Sequence, residues 1–126
     1  MAFRVSEDKI SALEKAIGWP LPSALRQRLA VENGGEVHLF GDVEDIWWLH
    51  PVWDDSDRKR IKRTANHILR ETEVAKQWGR FPADAVAIAN NGSGDLLVVR
   101  KGDPETYRLD HETGDLVPTS VVWSAG

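Results

Sequence analysis

The chain contains no cysteine. That absence excludes a disulfide framework, a thiol nucleophile and any thiolate metal site. Long apolar runs are missing too: aliphatic stretches such as Leu96-Leu97-Val98-Val99 fall far below the ~20 residues that cross a bilayer. The first eight residues, Met1 to Asp8, lack the apolar core of a secretion signal. No Gly-x-Ser-x-Gly elbow offers a serine nucleophile. The glycine-rich stretch Asn91-Gly92-Ser93-Gly94-Asp95 lacks the Lys-Ser/Thr of a phosphate loop and leads into a strand, so it reads as a turn. What remains is a chain of 126 residues, 41% hydrophobic and 29% charged, enough to fill one core without covalent staples. The expectation is a cytoplasmic protein forming one domain over residues 1–126.

Two features are abundant. The first is tryptophan, with six residues at positions 19, 47, 48, 53, 78 and 123. Trp47, Trp48 and Trp53 lie too close together along the chain for all three to be buried alike. The second is segregated charge. The net value of -4 hides a stretch, residues 29–57, with the acids Glu32, Glu36, Asp42, Glu44, Asp45, Asp54, Asp55 and Asp57 and no Lys or Arg. Residues 58–80 reverse the balance, with Arg58, Lys59, Arg60, Lys62, Arg63, Arg70, Lys76 and Arg80 against Glu71 and Glu73. Such polarity can steer a partner before contact.

Residues 6–17 predict a helix: Ser6 precedes it, Glu7 and Asp8 sit in its first turn, and Ile10, Leu13 and Ile17 share a face before Gly18 stops it. The prolines of Trp19-Pro20-Leu21-Pro22 force an extended corner. A second helix then carries Leu21, Leu25 and Leu29 to Asn33-Gly34-Gly35. Residues 36–40 have strand character, and residues 46–53, interrupted by Pro51, read as a short strand or a packed loop. Asp54, Asp55 and Asp57 lead into one long helix to about Trp78, with the stripe Ile61, Ala65, Ile68, Leu69, Thr72 and Ala75. The remainder is β: residues 86–89, 95–101, 106–110 and 116–123, with Pro118 marking an edge or a bend. Helices first and strands last favour an α+β fold on an antiparallel sheet.

Little in the chain suggests catalysis. His111 is flanked by Asp110 and Glu112, but neighbours along the chain point apart, and a turn histidine is the reading. His67 falls mid-helix, where Glu71 four residues on suggests a surface hydrogen bond. No catalytic group, no metal and no cofactor is expected. The run Arg58-Lys59-Arg60-Ile61-Lys62-Arg63 resembles a phosphate-binding patch. Asp54 and Asp55 stand four residues before Arg58 and Lys59, and Asp57 three before Arg60, which favours a salt-paired helix face over a nucleic-acid site.

The order of the motifs carries a resemblance. Leu13-Glu14, Ile17-Gly18, Leu21-Pro22, Leu29 and Asn33-Gly34-Gly35 resemble the opening of the SUKH superfamily, the Smi/Knr-type domain. Phe81-Pro82, Val86, Ile88-Ala89, Gly92, Gly94-Asp95 and then Tyr107 to Asp110-His111-Glu112 are similar to its later part. The resemblance covers residues 10–115 or so. It implies a single α+β domain with N-terminal helices packed on an antiparallel sheet, to which the sequence pattern adds the long middle helix. It also implies a non-catalytic immunity protein that binds and neutralises a cognate bacterial toxin, with a regulatory scaffold domain as the alternative. Many members carry a final helix after the Asp-His-Glu turn; here Pro118 shortens or removes it.

A toxin partner directs attention to the cation-free acidic stretch. Acids accelerate association and tryptophans supply buried anchors. The candidate contacts are Asp42, Glu44, Asp45 and Trp48, with Asp54 and Asp55 at the rim. The competing reading places the tryptophans in the core and leaves the acids as solubilising charge.

Overall fold

Helix α1 (Glu7–Ile17) begins where the Ser6 carbonyl accepts the N–H groups of Lys9 and Ile10, and its first turn holds Glu7 and Asp8 against the positive end of the helix dipole. Gly18, at φ 87°, ends it by donating its N–H to the Glu14 carbonyl. The Glu14 carboxylate then accepts Leu21 N–H at 2.8 Å and Arg26 Nε at 3.2 Å. That one side chain fixes the proline corner before helix α2 (Ser23–Val31). Leu21, Leu25 and Leu29 are buried as the spacing predicts.

The computed structural model describes residues 3–123, and only the backbone of Val43. Its strands are β1 (Glu36–Leu39), β2 (Asp42–Leu49), β3 (Ala85–Asn90), β4 (Leu96–Arg100), β5 (Thr106–Leu109), β6 (Leu116–Thr119) and β7 (Val121–Val122). They form one antiparallel sheet in the order β6-β5-β4-β3-β2-β1-β7. Only Ser120 separates β6 from β7, yet these two lie at opposite edges. The sheet therefore curls until a single stretch of chain joins its two borders. The single strand expected over residues 116–123 is thus two, and no helix follows the Asp-His-Glu turn within the described residues. Pro118 sits on an edge strand, where a missing donor is tolerated, and the Ser120 carbonyl accepts Phe40 N–H at 2.8 Å.

The long middle helix is also two: α3 (Arg58–Arg63) and α4 (Ile68–Lys76). Two side chains cut it. Thr64 Oγ1 donates to the Arg60 carbonyl at 2.7 Å and accepts Asp54 N–H at 3.0 Å, drawing the chain out of helical register. His67 then becomes the N-cap of α4, its Nδ1 accepting Arg70 N–H at 3.3 Å. His67 is therefore a cap rather than a mid-helix partner of Glu71. The expected stripe divides accordingly: Ile61 and Ala65 are exposed, whereas Ile68 and Thr72 are buried. Thr72 Oγ1 accepts Ala87 N–H at 2.9 Å and ties α4 to β3.

The main core packs Ile10, Leu25, Leu29, Trp47, Ile68, Ile88 and Leu97 between the helices and one face of the sheet. A smaller cluster, Ala85, Val98 and Leu109, is covered by Phe81, Tyr107 and Leu116. The two clusters follow the strand alternation, since Leu97 and Val98 point to opposite faces. His50 is buried beside the main core. Its Nδ1–H donates to the Ala87 carbonyl and its Nε2 accepts from Asn90 Nδ2, both at 3.0 Å. Burial holds this imidazole below its ordinary pKa.

The Asn33-Gly34-Gly35 corner explains itself. Asn33 is buried, and its amide clasps the backbone of Val52: Nδ2 donates to the carbonyl at 2.9 Å and Oδ1 accepts the N–H at 2.7 Å. Buried Arg28 donates to the carbonyls of Glu32 and Gly34. Gly34 takes φ 116°, a region that only glycine enters without strain.

Replacing Asn33 with Ala strands a buried donor and acceptor on Val52, and should cost about 2 kcal/mol or more in urea unfolding. Gly34→Ala should cost about 1 kcal/mol or more through its backbone alone. Unfolding midpoints equal to the parent's would refute both assignments.

Candidate functional site

The acidic stretch is shaped by a register fault. Val37 pairs with Trp47 and Leu39 with Asp42, so one residue of β1, His38, lies opposite four of β2. The surplus residues, Val43 to Ile46, bulge from the hairpin, and Asp42 Oδ1 accepts Asp45 N–H at 3.3 Å across the bulge. On its other side β2 pairs with β3 only through Trp48–Asn90 and Leu49–Ala89. The bulge therefore projects past the rest of the sheet. Glu44 and Asp45 are exposed on it and Asp42 half-buried.

Alternation along β2 separates the neighbouring tryptophans, as their adjacency predicts. Trp47 is fully buried, with Arg108 lying 5.2 Å over its ring. Trp48 turns outward with 45% of its surface exposed, beside Ile46 at 42% and Phe40 at 81%. Asp42, Glu44, Asp45 and Trp48 thus share one hairpin. Asp54 and Asp55 do not belong to it. Asp54 is only 5% exposed, and its carboxylate accepts Ser56 N–H and Oγ–H and pairs with Arg60 Nε at 3.6 Å. It shapes the turn before α3. Asp55 is exposed and pairs with Lys9 of α1.

These pairings revise those expected of the basic run. Asp57 does meet Arg60, but Asp54 reaches Arg60 rather than Arg58, and Asp55 reaches Lys9 rather than Lys59. The helix begins only at Arg58, so Asp54 and Asp55 precede it and helical spacing does not apply to them. Arg60 and Arg63 instead lie over the Phe3 ring at 4.3 and 5.1 Å.

Between α3 and the hairpin runs a groove of about 850 Å³. Ile46, Trp48 and His38 line one side, Asn33 to Glu36 one end, and Phe3, Arg60, Arg63 and Asn66 the other side. Phe3, Glu36 and His38 were not singled out in the sequence. Only the Asn-Gly-Gly motif marked the place, because a corner that holds two chain segments together also leaves a recess between them.

At the far end of the sheet Asp95 gathers a polar cluster. Its Oδ1 accepts His111 N–H at 3.1 Å and His111 Nδ1 at 2.6 Å, and its Oδ2 accepts Arg108 Nη2 at 2.8 Å. Ligand atoms of Asp95, Asp110 and His111 lie within 4.8 Å of one another, so His111 does find carboxylate company through the fold. Both Asp95 oxygens are nevertheless committed to cationic donors, which is the chemistry of a structural knot rather than a metal cage. Burial pushes the Asp95 carboxyl up, but the hydrogen bonds from His111 and Arg108 outweigh it and hold the group at about 2. The same contact raises His111 above its ordinary value. Gly94, at φ 108°, permits the approach: a Cβ there would stand 3.0 Å from the His111 ring.

The molecule thus falls among small α+β domains whose helices and curled antiparallel sheet border an open groove. The model of the SMI1 / KNR4 family (SUKH-1) matches residues 4–124, and the chain belongs to that family. The family includes toxin-immunity proteins and is generally non-catalytic. The chain matches no curated protein. Among the described residues no helix is long and apolar enough to cross a membrane.

The Asp95 knot and His50 give acid sensitivity with a definite sign. Asp95 binds its proton more readily when unfolded, so its contribution is present above about pH 4 and lost as pH falls toward 2. His50 also protonates more readily when unfolded, so stability declines as pH drops below about 6.5. His111 acts oppositely: its contribution is present below about 6.5 and lost as pH rises through its raised value. Urea midpoints measured from pH 7 to 2 should show Asp95→Asn flattening the limb below pH 4. A limb of unchanged steepness in that variant would assign the acid loss elsewhere.

Proposed function

We propose that this chain is a cytoplasmic immunity protein that binds a cognate toxin domain stoichiometrically and performs no catalysis of its own. The observation that carries the reading is the bulged β1–β2 hairpin, which presents Asp42, Glu44 and Asp45 beside the exposed side chains of Phe40, Ile46 and Trp48. A surface that combines one sign of charge with exposed aromatic area suits recognition. The acids raise the encounter rate of a basic partner, and the rings supply the contact that excludes water. Membership of a family that includes toxin-immunity proteins supports the same reading. Asp55, paired with Lys9, and Asp54, which shapes the turn before α3, stand apart from this surface. The partner expected is a protein with a basic surface, not nucleic acid, a membrane or a small substrate.

Co-expression with the toxin domain encoded beside it should protect cells, and the purified proteins should form a one-to-one complex. Changing Asp42, Glu44 and Asp45 together to Lys should leave the melting temperature within about 2 °C of the parent. The same change should slow association by tenfold or more at low salt. Unaltered affinity and protection in that variant would move the interface away from the hairpin.

A further inference from the structure

Glu36 and Trp48 stand directly opposite each other on β1 and β2, and both line the groove. Side chains so placed share one face of the sheet, with Cβ atoms about 5 Å apart. One edge of the Trp48 ring faces the turn after β3, where a Cβ added at Gly92 would meet its Cζ3 at 3.5 Å. Nearly half of Trp48 still faces solvent. Glu36 is exposed, and among the described residues its carboxylate accepts no hydrogen bond and joins no ion pair. Arg28 approaches its backbone carbonyl at 3.5 Å, but that guanidinium is committed to Glu32 and Gly34. The hairpin itself has no Lys or Arg.

An unanswered carboxylate across from a half-exposed indole, on a hairpin without Lys or Arg, is complementary to one kind of side chain. A guanidinium can lie flat on the indole while its N–H fork meets the carboxylate, and it loses less hydration than an ammonium in doing so. We propose that the Glu36–Trp48 pair is a receptor for an arginine side chain of the partner protein; this rests on the reading above that the hairpin meets the partner. The opposite wall does not compete for that role. Arg60 there already occupies the carboxylates of Asp54 and Asp57 and lies with Arg63 over Phe3, so the acids and the ring of that wall are committed to the chain's own cations.

The receptor can be tested without the toxin. N-acetyl-arginine methylamide is titrated into the full chain while the indole N–H resonances are followed by NMR, with Trp48 assigned through Trp48→Phe. A saturable shift of the Trp48 signal in the millimolar range is expected. Glu36→Gln, an exposed and isosteric change, should weaken it about fivefold or more. The corresponding lysine amide should bind more weakly, and the glutamine and glutamate amides should give no saturable shift. A flat titration, an equal response in Glu36→Gln, or preference for the glutamate amide would overturn the receptor. Arginine binding by a chain that protects no cell would retain the receptor and overturn the immunity reading. Protection without arginine binding would do the reverse.

Discussion

The clasp of Asn33 on Val52 is the contact on which the rest of the arrangement depends. One amide side chain satisfies both backbone groups of a residue nineteen positions away. It fixes the end of α2 against the chain leaving β2, so the β1–β2 hairpin departs and returns at one defined place. The His50 bridge to Ala87 and Asn90 extends the fixation into β3. Without the clasp, the groove would lose the two segments that border it. A buried amide suits this role because both its donor and its acceptor are used, which leaves no unsatisfied polar atom.

Much of the fold was legible because its signals are local. Gly18, the proline corner and the leucine face of α2 each act within a few residues, and each stands where the sequence placed it. The middle helix was misread for the complementary reason. Its apolar period runs through Thr64 and His67, while the contacts that break it come from Asp54, ten residues back, and from a histidine acting as a cap. Periodicity sees neither. The division of residues 116–122 between two sheet edges was equally invisible, because pairing partners are set by how far the sheet curls and not by the strand's own residues.

The candidate surface was legible in part. The run of acids without a cation survives as a hairpin face, and the separation of Trp47 from Trp48 follows from strand alternation alone. Asp54 shows the limit. In sequence it is one more acid, but its neighbours Ser56, Thr64 and Arg60 draw the turn around it and turn it inward. Glu36 shows the opposite error. In the sequence it is one acid of the cation-free run, and only the register sets it across from an exposed tryptophan.

The curl of the sheet has a consequence for how the protein comes into being. The outer side of β1 is completed by β7, whose pairing joins residues about 80 positions apart. Contacts of such span form late, because a long loop must close before they are rewarded. On a ribosome, the hairpin that carries Trp48 and the acids is made early but gains its flanking strand only after residues 121–122 have emerged. A product terminated before residue 121 would expose the same residues on a hairpin with nothing to hold its outer edge.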